Sequence, residues 1–168
     1  MTKKDVSLCP IRPMDIGDWA SCWDLHSEHA APLPPLWRIL RRTDSAAPKV
    51  HGLVAYDGPN VIGYAMWRAS SSRVAECLAL VVAEPRRRLG IGMRLLGRIV
   101  QAAAGRHLAY ASAAVDDRNI NAQVWLRACG WRACGMVAPG STMIDFRREL
   151  RSPYTPIAPA WEEGCNGK

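Results

Sequence analysis

The stretch LALVVAEPRRRLGIGMRLL, residues 78–96, carries the reading that decides the fold. It passes from an apolar run into a loop with three arginines, Arg86 to Arg88, and two glycines, Gly90 and Gly92, and then into a segment of helical character. Strand, glycine-bearing loop, then helix gathers unpaired backbone N–H groups at a helix N-terminus, where the helix dipole adds partial positive charge. Such a pocket suits a phosphate. Gly90 and Gly92 let the backbone come close to an anion, and the arginines add charge-assisted donors. A Walker loop would need Gly-Lys-Ser or Gly-Lys-Thr, whereas Gly92 is followed by Met93 and Arg94. A dinucleotide fingerprint would need a third glycine where Leu95 stands and an acidic residue about twenty positions on, where Ser112 and alanines precede Asp116. At this level it stays open that the glycines only permit a tight turn and that the arginines are solvated.

Outward from the loop, GMRLLGRIVQAAAG places Ile91, Leu95, Leu96, Ile99, Val100 and Ala103 on one helical face, opposite Arg94, Arg98 and Gln101, with Gly105 at the expected C-terminus. Upstream, VAECLALVV has few polar positions and reads as a strand buried on both faces. HGLVAYDGPNVIGYAMWR reads as a hairpin around Asp57-Gly58-Pro59-Asn60. A short strand around Leu8 to Arg12 leads into a helix that Asp15 or Asp18 can cap, with Trp19, Cys22, Trp23 and His26 as a core-facing stripe. PPLWRILRR, residues 34–42, reads as a second helix with a basic end. Downstream come LAYASAAV as a strand, INAQVWLRACG as a helix ending at Gly130, and WRACGMVA and STMIDFRREL as two strands. The order is β-α-α-β-β-β-α-β-α-β-β, a mixed α+β domain over residues 1–150. Residues 151–168, rich in proline and without periodicity, read as an appended tail.

The 168 residues suffice for one core, and a net charge of +7, from 22 basic and 15 acidic residues, suits phosphate-bearing or acidic partners. Nucleic acid is not expected among them, because the interleaved aromatic and basic surface of such binders is missing. The six cysteines form no CxxC pair and no Cys/His ligand cadence, so they are expected to be reduced and no metal site is expected. The N-terminal stretch has no apolar segment of signal-peptide length, and no window reaches the roughly 18 apolar residues of a membrane span. A cytoplasmic protein without a membrane partner is the expectation.

The run quoted above resembles motif A of the GCN5-related N-acetyltransferases (GNAT), whose Arg/Gln-x-x-Gly-x-Gly/Ala matches Arg87-Arg88-Leu89-Gly90-Ile91-Gly92. IRPMDIGDW looks like the family's opening strand and helix start. NINAQVWLRACGW looks like motif B, with Trp131 in place of the usual phenylalanine. The resemblance covers residues 10–150 and comes nearest to the ribosomal-protein alanine type. It implies a layered αβα fold with a central, mostly antiparallel, twisted sheet, and transfer of an acetyl group from acetyl-CoA to a primary amine. It also implies that the pyrophosphate rests on the N–H groups of Arg88, Leu89, Gly90, Ile91, Gly92 and Met93, with Arg87 assisting. The pantetheine arm would pair with the main chain of Leu80, Val81 and Val82, and Asn119 matches the family's cofactor-contacting asparagine.

Acetyl transfer to an amine calls for a base to neutralise the amine and an acid for the leaving thiolate. Leu126 stands where the family commonly has its acidic tyrosine, and Ala114 stands where the ribosomal-protein type has its glutamate base. Three alternatives remain. Positioning with solvent water suffices; or Glu76 acts as base and Tyr110, Ser112 or Cys129 as acid, with Tyr110 the candidate adopted; or the protein is a noncatalytic acyl-CoA-binding or regulatory module. Acceptor specificity falls to the first two helices and the loop near Val137 to Thr142. The sequence leaves the acceptor and the oligomeric state open.

Overall fold

A computed structural model describes residues 9–29, 49–70 and 73–150. The second helix expected at 34–42, the tail at 151–168 with Cys165, and Leu8 of the expected opening strand lie outside the described residues. In chain order the described elements are strand β1 (Ile11–Pro13), helix α1 (Trp19–His29), strands β2 (Val50–Asp57), β3 (Asn60–Ala69) and β4 (Val74–Val82), helix α2 (Ile91–Ala104), strand β5 (Tyr110–Asp116), helix α3 (Ile120–Ala128), and strands β6 (Arg132–Met136) and β7 (Met143–Glu149). Single 3-10 turns at Ile16–Asp18 and Glu84–Arg86 precede α1 and the glycine loop.

The strands form one sheet in the order β1-β2-β3-β4-β5-β7-β6, antiparallel at every junction except β4–β5. A parallel pair requires a crossover, and α2 supplies it. On one face of the sheet, Cys22 and Leu25 of α1 pack with Val54, Tyr64, Met66, Ala79 and Val81. On the other, Ile91, Leu95, Leu96, Ile99 and Ala103 of α2 pack with Ala65, Trp67, Ala111, Phe146 and Trp131. This is the expected layered αβα arrangement. It follows from adjacent strand residues such as Val54 and Ala55 pointing to opposite faces, both of them apolar.

Several local expectations change. Trp23 is 46% exposed, so the buried stripe of α1 is Cys22, Leu25 and His26, spaced three and four residues apart. Gly105 keeps right-handed helical angles, and it is His107 that takes the left-handed conformation after α2. Strand β4 contributes to both cores as expected, Ala75 to that of α2 and Ala79 and Val81 to that of α1, but its other residues are only half-buried. Of the cysteines, Cys9, Cys22, Cys77, Cys129 and Cys134 are free thiols, and burial pushes Cys22 and Cys77 up to about 12. Cys134, on the exposed strand β6, is not packed as an apolar residue.

The start of α1 is fixed by a carboxylate network. Asp15 accepts from Gly17 N–H at 2.8 Å, and Asp18 accepts in return from Asp15 N–H at 2.8 Å, a reciprocal cap. Buried Asp18 also accepts from both terminal nitrogens of Arg12 at 2.9 Å and from Tyr56 Oη at 2.6 Å. Burial opposes ionisation of Asp18, yet the bonds from Tyr56, the Asp15 amide and Arg12 prevail and hold its carboxyl below the usual 3.8. A folded pKa below the unfolded one contributes stability that is complete above the ordinary carboxylate range and lost as pH falls through the folded value. The melting temperature is therefore expected to drop below about pH 4, and Asp18→Asn should flatten that acid limb while lowering the midpoint at neutral pH. An acid limb unchanged in Asp18→Asn, in melts from pH 2 to 7, would refute the assignment.

Candidate active site

The site begins where the sheet comes apart. Strand β4 pairs with β5 only from Val74↔Tyr110 to Cys77↔Ala113, and from Leu78 onward it has no β5 partner. Its pairing with β3 shifts register between Met66 and Trp67, which face Ala79 and Cys77, so Leu78 is an extra residue. Such a bulge bends its strand. Ala83 N–H donates to Ile62 C=O at 3.0 Å, and the alternation of an antiparallel ladder then turns the main-chain groups of Leu80 and Val82 away from β3 into the opening. The uniformly apolar run gives no sequence signal for either the bulge or the opening.

The glycine loop lies at the end of this free edge. Arg88 and Gly90 both adopt positive φ, 62° and 81°, and α2 starts at Ile91 with no side chain capping it. Gly90 C=O accepts from Arg94 N–H at 3.0 Å, while Ile91, Gly92 and Met93, in the first turn, have no helical acceptor. Glycine is the residue that takes the Gly90 conformation without penalty. Gly92 serves a further purpose beyond approach to an anion: a Cβ there would lie 3.4 Å from Trp125 Cζ2 and 3.5 Å from Leu80 Cδ2, where α2, α3 and β4 meet.

The arginine triplet, expected to serve phosphate together, divides its roles. Arg86 forms an ion pair with Asp57 at the β2–β3 turn. Arg87 donates from Nε to Val82 C=O and from Nη2 to His29 C=O, each at 3.1 Å, tying the loop to β4 and to the end of α1. Arg88 is exposed, and its side chain has no partner among the described residues. Asn119 caps α3, its Oδ1 accepting from Ala122 N–H at 3.1 Å, which leaves its amide nitrogen for other partners. Asp116 accepts from Arg118 N–H at 2.9 Å and shapes the preceding turn. These groups fit a CoA thioester: uncapped N–H donors suit a pyrophosphate, and a free strand edge suits an amide-bearing arm.

The residues considered for proton transfer gather less tightly. Glu76 lies opposite Ser112, one residue before the strands part, and accepts from Arg68 Nε and Nη2 at 2.8 Å each. Tyr110, two residues earlier on the same face as Ser112, stands at the closed end of the pair, its ring under the Arg147 guanidinium at 5.2 Å. Ala114 lies just beyond the parting, and Leu126 is buried in the core. Cys129 has its thiol pushed up by burial. Sequence reasoning missed Arg68, whose pairing with Glu76 emerges only from the β3–β4 register. Among the described residues no cluster of three or more His, Cys, Asp or Glu side chains could hold a metal ion, and no helix is long and apolar enough to cross a membrane.

An α+β domain whose central sheet opens between two parallel strands, beside an uncapped helix N-terminus, defines a class of protein that offers a strand edge and an anion site side by side. The acetyltransferase (GNAT) family pattern matches residues 16–131, and the chain belongs to that family. No curated protein matches the sequence. Among solved structures, the chain is similar in fold to the ribosomal-protein-S18-alanine N-acetyltransferase of Escherichia coli, at 13% identity and TM-score 0.68 over 85% of this chain and 94% of that one. Ard1 of Thermoplasma volcanium gives 16% identity and TM-score 0.69 over 84% and 97%. The PaiA N-acetyltransferase of Thermoplasma acidophilum, solved in complex with coenzyme A, gives 14% and 0.67 over 83% and 98%. The protein is thus an acetyl-CoA-dependent acetyltransferase.

Proposed function

We propose that the enzyme acetylates a primary amine, either a protein N-terminus or a small-molecule amine, with residues 1–150 as the catalytic domain and 151–168 as an appendage. The observation that carries this reading is the free edge of β4 leading into the uncapped start of α2. Leu80 offers the pantetheine arm a main-chain donor and acceptor and Val82 a donor, its carbonyl already accepting from Arg87, with Val81 between them. The N–H groups of Arg88, Leu89, Gly90, Ile91, Gly92 and Met93 face the pyrophosphate, joined by the Arg88 side chain and the amide of Asn119. Arg87 acts here by bracing the loop, because its guanidinium is engaged by two carbonyls.

In the reaction the neutral amine adds to the thioester carbon, the C–S bond breaks, and the amine loses a proton as the thiolate gains one. Glu76 is the proposed base, through a water, and Tyr110 the proposed acid, reaching the sulfur by the same relay. Five free cysteines suit the reducing cytoplasm, where we place the enzyme. The test is thermal stabilisation by acetyl-CoA, followed by thiol release across a set of amines. A rise in melting temperature with amine-dependent thiol release is expected. Absence of any rise would overturn the cosubstrate site, and a rise without release for any amine would favour a noncatalytic acyl-CoA-binding module.

A further inference from the structure

Strand register aligns five polar residues in one row across the sheet: Arg68 on β3, Glu76 on β4, Ser112 on β5, Arg147 on β7 and Arg132 on β6. Directly opposed residues project to the same face. This is the face on which α1 packs against β3 and β4, and farther along it Arg147 and Arg132 are exposed. Within the row Arg68 is matched by Glu76 at 2.8 Å. Arg147 and Arg132 oppose each other with like charge, and the one carboxylate beside them among the described residues, Asp145, engages only the Nε of Arg147.

Arg147 is also held in a fixed attitude. Its Nε donates to Asp145 Oδ2 at 2.6 Å and its guanidinium lies over the Tyr110 ring at 5.2 Å. Neither terminal nitrogen of Arg147 makes a hydrogen bond among the described residues, and the Arg132 side chain has no partner among them either. A guanidinium braced at Nε and across its plane presents its remaining edge as a two-pronged donor, the geometry that matches a carboxylate. The row passes Glu76, one residue before the sheet opens, and strands β4 and β7 lie two strand spacings apart, about 10 Å.

We propose that Arg147, with Arg132 beside it, binds a carboxylate of the acceptor, so that the acceptor is an amino-acid-like compound with its carboxylate several bonds from the reacting amine. This rests on the amine-acetylating reading above and names its substrate class. A separation of two strand spacings between Glu76 and Arg147 is wider than an α-amino acid and suited to a longer ω-amino acid.

The experiment compares thiol release from acetyl-CoA with ω-amino acids, from β-alanine to 6-aminohexanoate, against n-alkylamines of equal length, in the intact protein and in Arg147→Gln and Arg132→Gln. A bidentate charge-assisted contact should favour the longer amino acids by about 10- to 100-fold in kcat/KM. Arg147→Gln should bring that ratio close to one and Arg132→Gln should narrow it. Equal kcat/KM for both series in the unaltered protein, or a ratio that survives Arg147→Gln, overturns the carboxylate site. Should no amine release thiol, the transferase reading fails separately. The carboxylate site is then decided by whether 6-aminohexanoate, but not hexylamine, raises the melting temperature of the CoA-loaded protein in an Arg147-dependent way; no such rise overturns it.

Discussion

Gly90→Val is expected to yield a folded protein that acetyl-CoA no longer stabilises. Gly90 sits at φ 81° with nothing within 4 Å of a Cβ built on it, so the penalty for valine comes from the backbone and not from collision with neighbours. A β-branched residue is a conformational outlier at that φ. The chain relieves the strain by rotating the peptides on either side, and these are the peptides whose N–H groups the pyrophosphate would use. Losing two hydrogen bonds to a charged group, at about 1.5 to 3 kcal/mol each, corresponds to a hundredfold or greater loss of affinity. Gly97 provides the control. It lies inside the same helix without a positive φ and with open space around its Cα, so Gly97→Ala should raise stability by about 0.5 to 1 kcal/mol and leave acetyl-CoA affinity unchanged. Titration of the melting temperature with acetyl-CoA decides the matter; unaltered affinity in Gly90→Val would show that the anion lies elsewhere.

Glu76→Gln is expected to lower kcat by about 10²-fold or more while leaving KM for acetyl-CoA nearly unchanged, the signature of a general base that does not hold the cosubstrate. Glutamine is isosteric, and its carbonyl can still accept from Arg68, so the strand pairing survives and the loss is not one of folding. The magnitude separates two of the accounts raised by the sequence. If orientation and bulk water suffice, kcat will be within a few-fold of the unaltered enzyme and Glu76 is only the partner of Arg68. A fall in kcat matched by an equal fall in melting temperature would point to the ion pair as well, and Arg68→Lys, which keeps the charge, distinguishes them by retaining activity if the carboxylate is what matters.

The fold was legible where side-chain periodicity reports burial. The one-sided apolar face of α2 and the turn formers at Asp57 to Asn60 locate a helix and a hairpin, and both lie where the sequence puts them. Trp23 misled because helical spacing alone does not say how far round the helix the covered stripe extends. The loop was legible because Gly90 leaves a local signature. The opening beside β4 was not, because it depends on an extra residue, Leu78, inside a run that is apolar throughout. The division of labour among Arg86, Arg87 and Arg88 was equally hidden, since it depends on Asp57, Val82 and His29 arriving from distant parts of the chain. The row from Arg68 to Arg132 exists only through register between strands far apart in sequence.

The parting of β4 from β5 has a thermodynamic corollary. The two halves of the sheet are joined by four paired residues on each strand and by the packing of α2 beneath them. A cosubstrate arm seated along Leu80 and Val82 would act as a missing strand at that seam, and part of the protein's cohesion would then be supplied by a molecule it consumes. By mass action a ligand at a hundred times its Kd adds about 2.7 kcal/mol to the folded state. Resistance to unfolding should therefore track the concentration of acetyl-CoA.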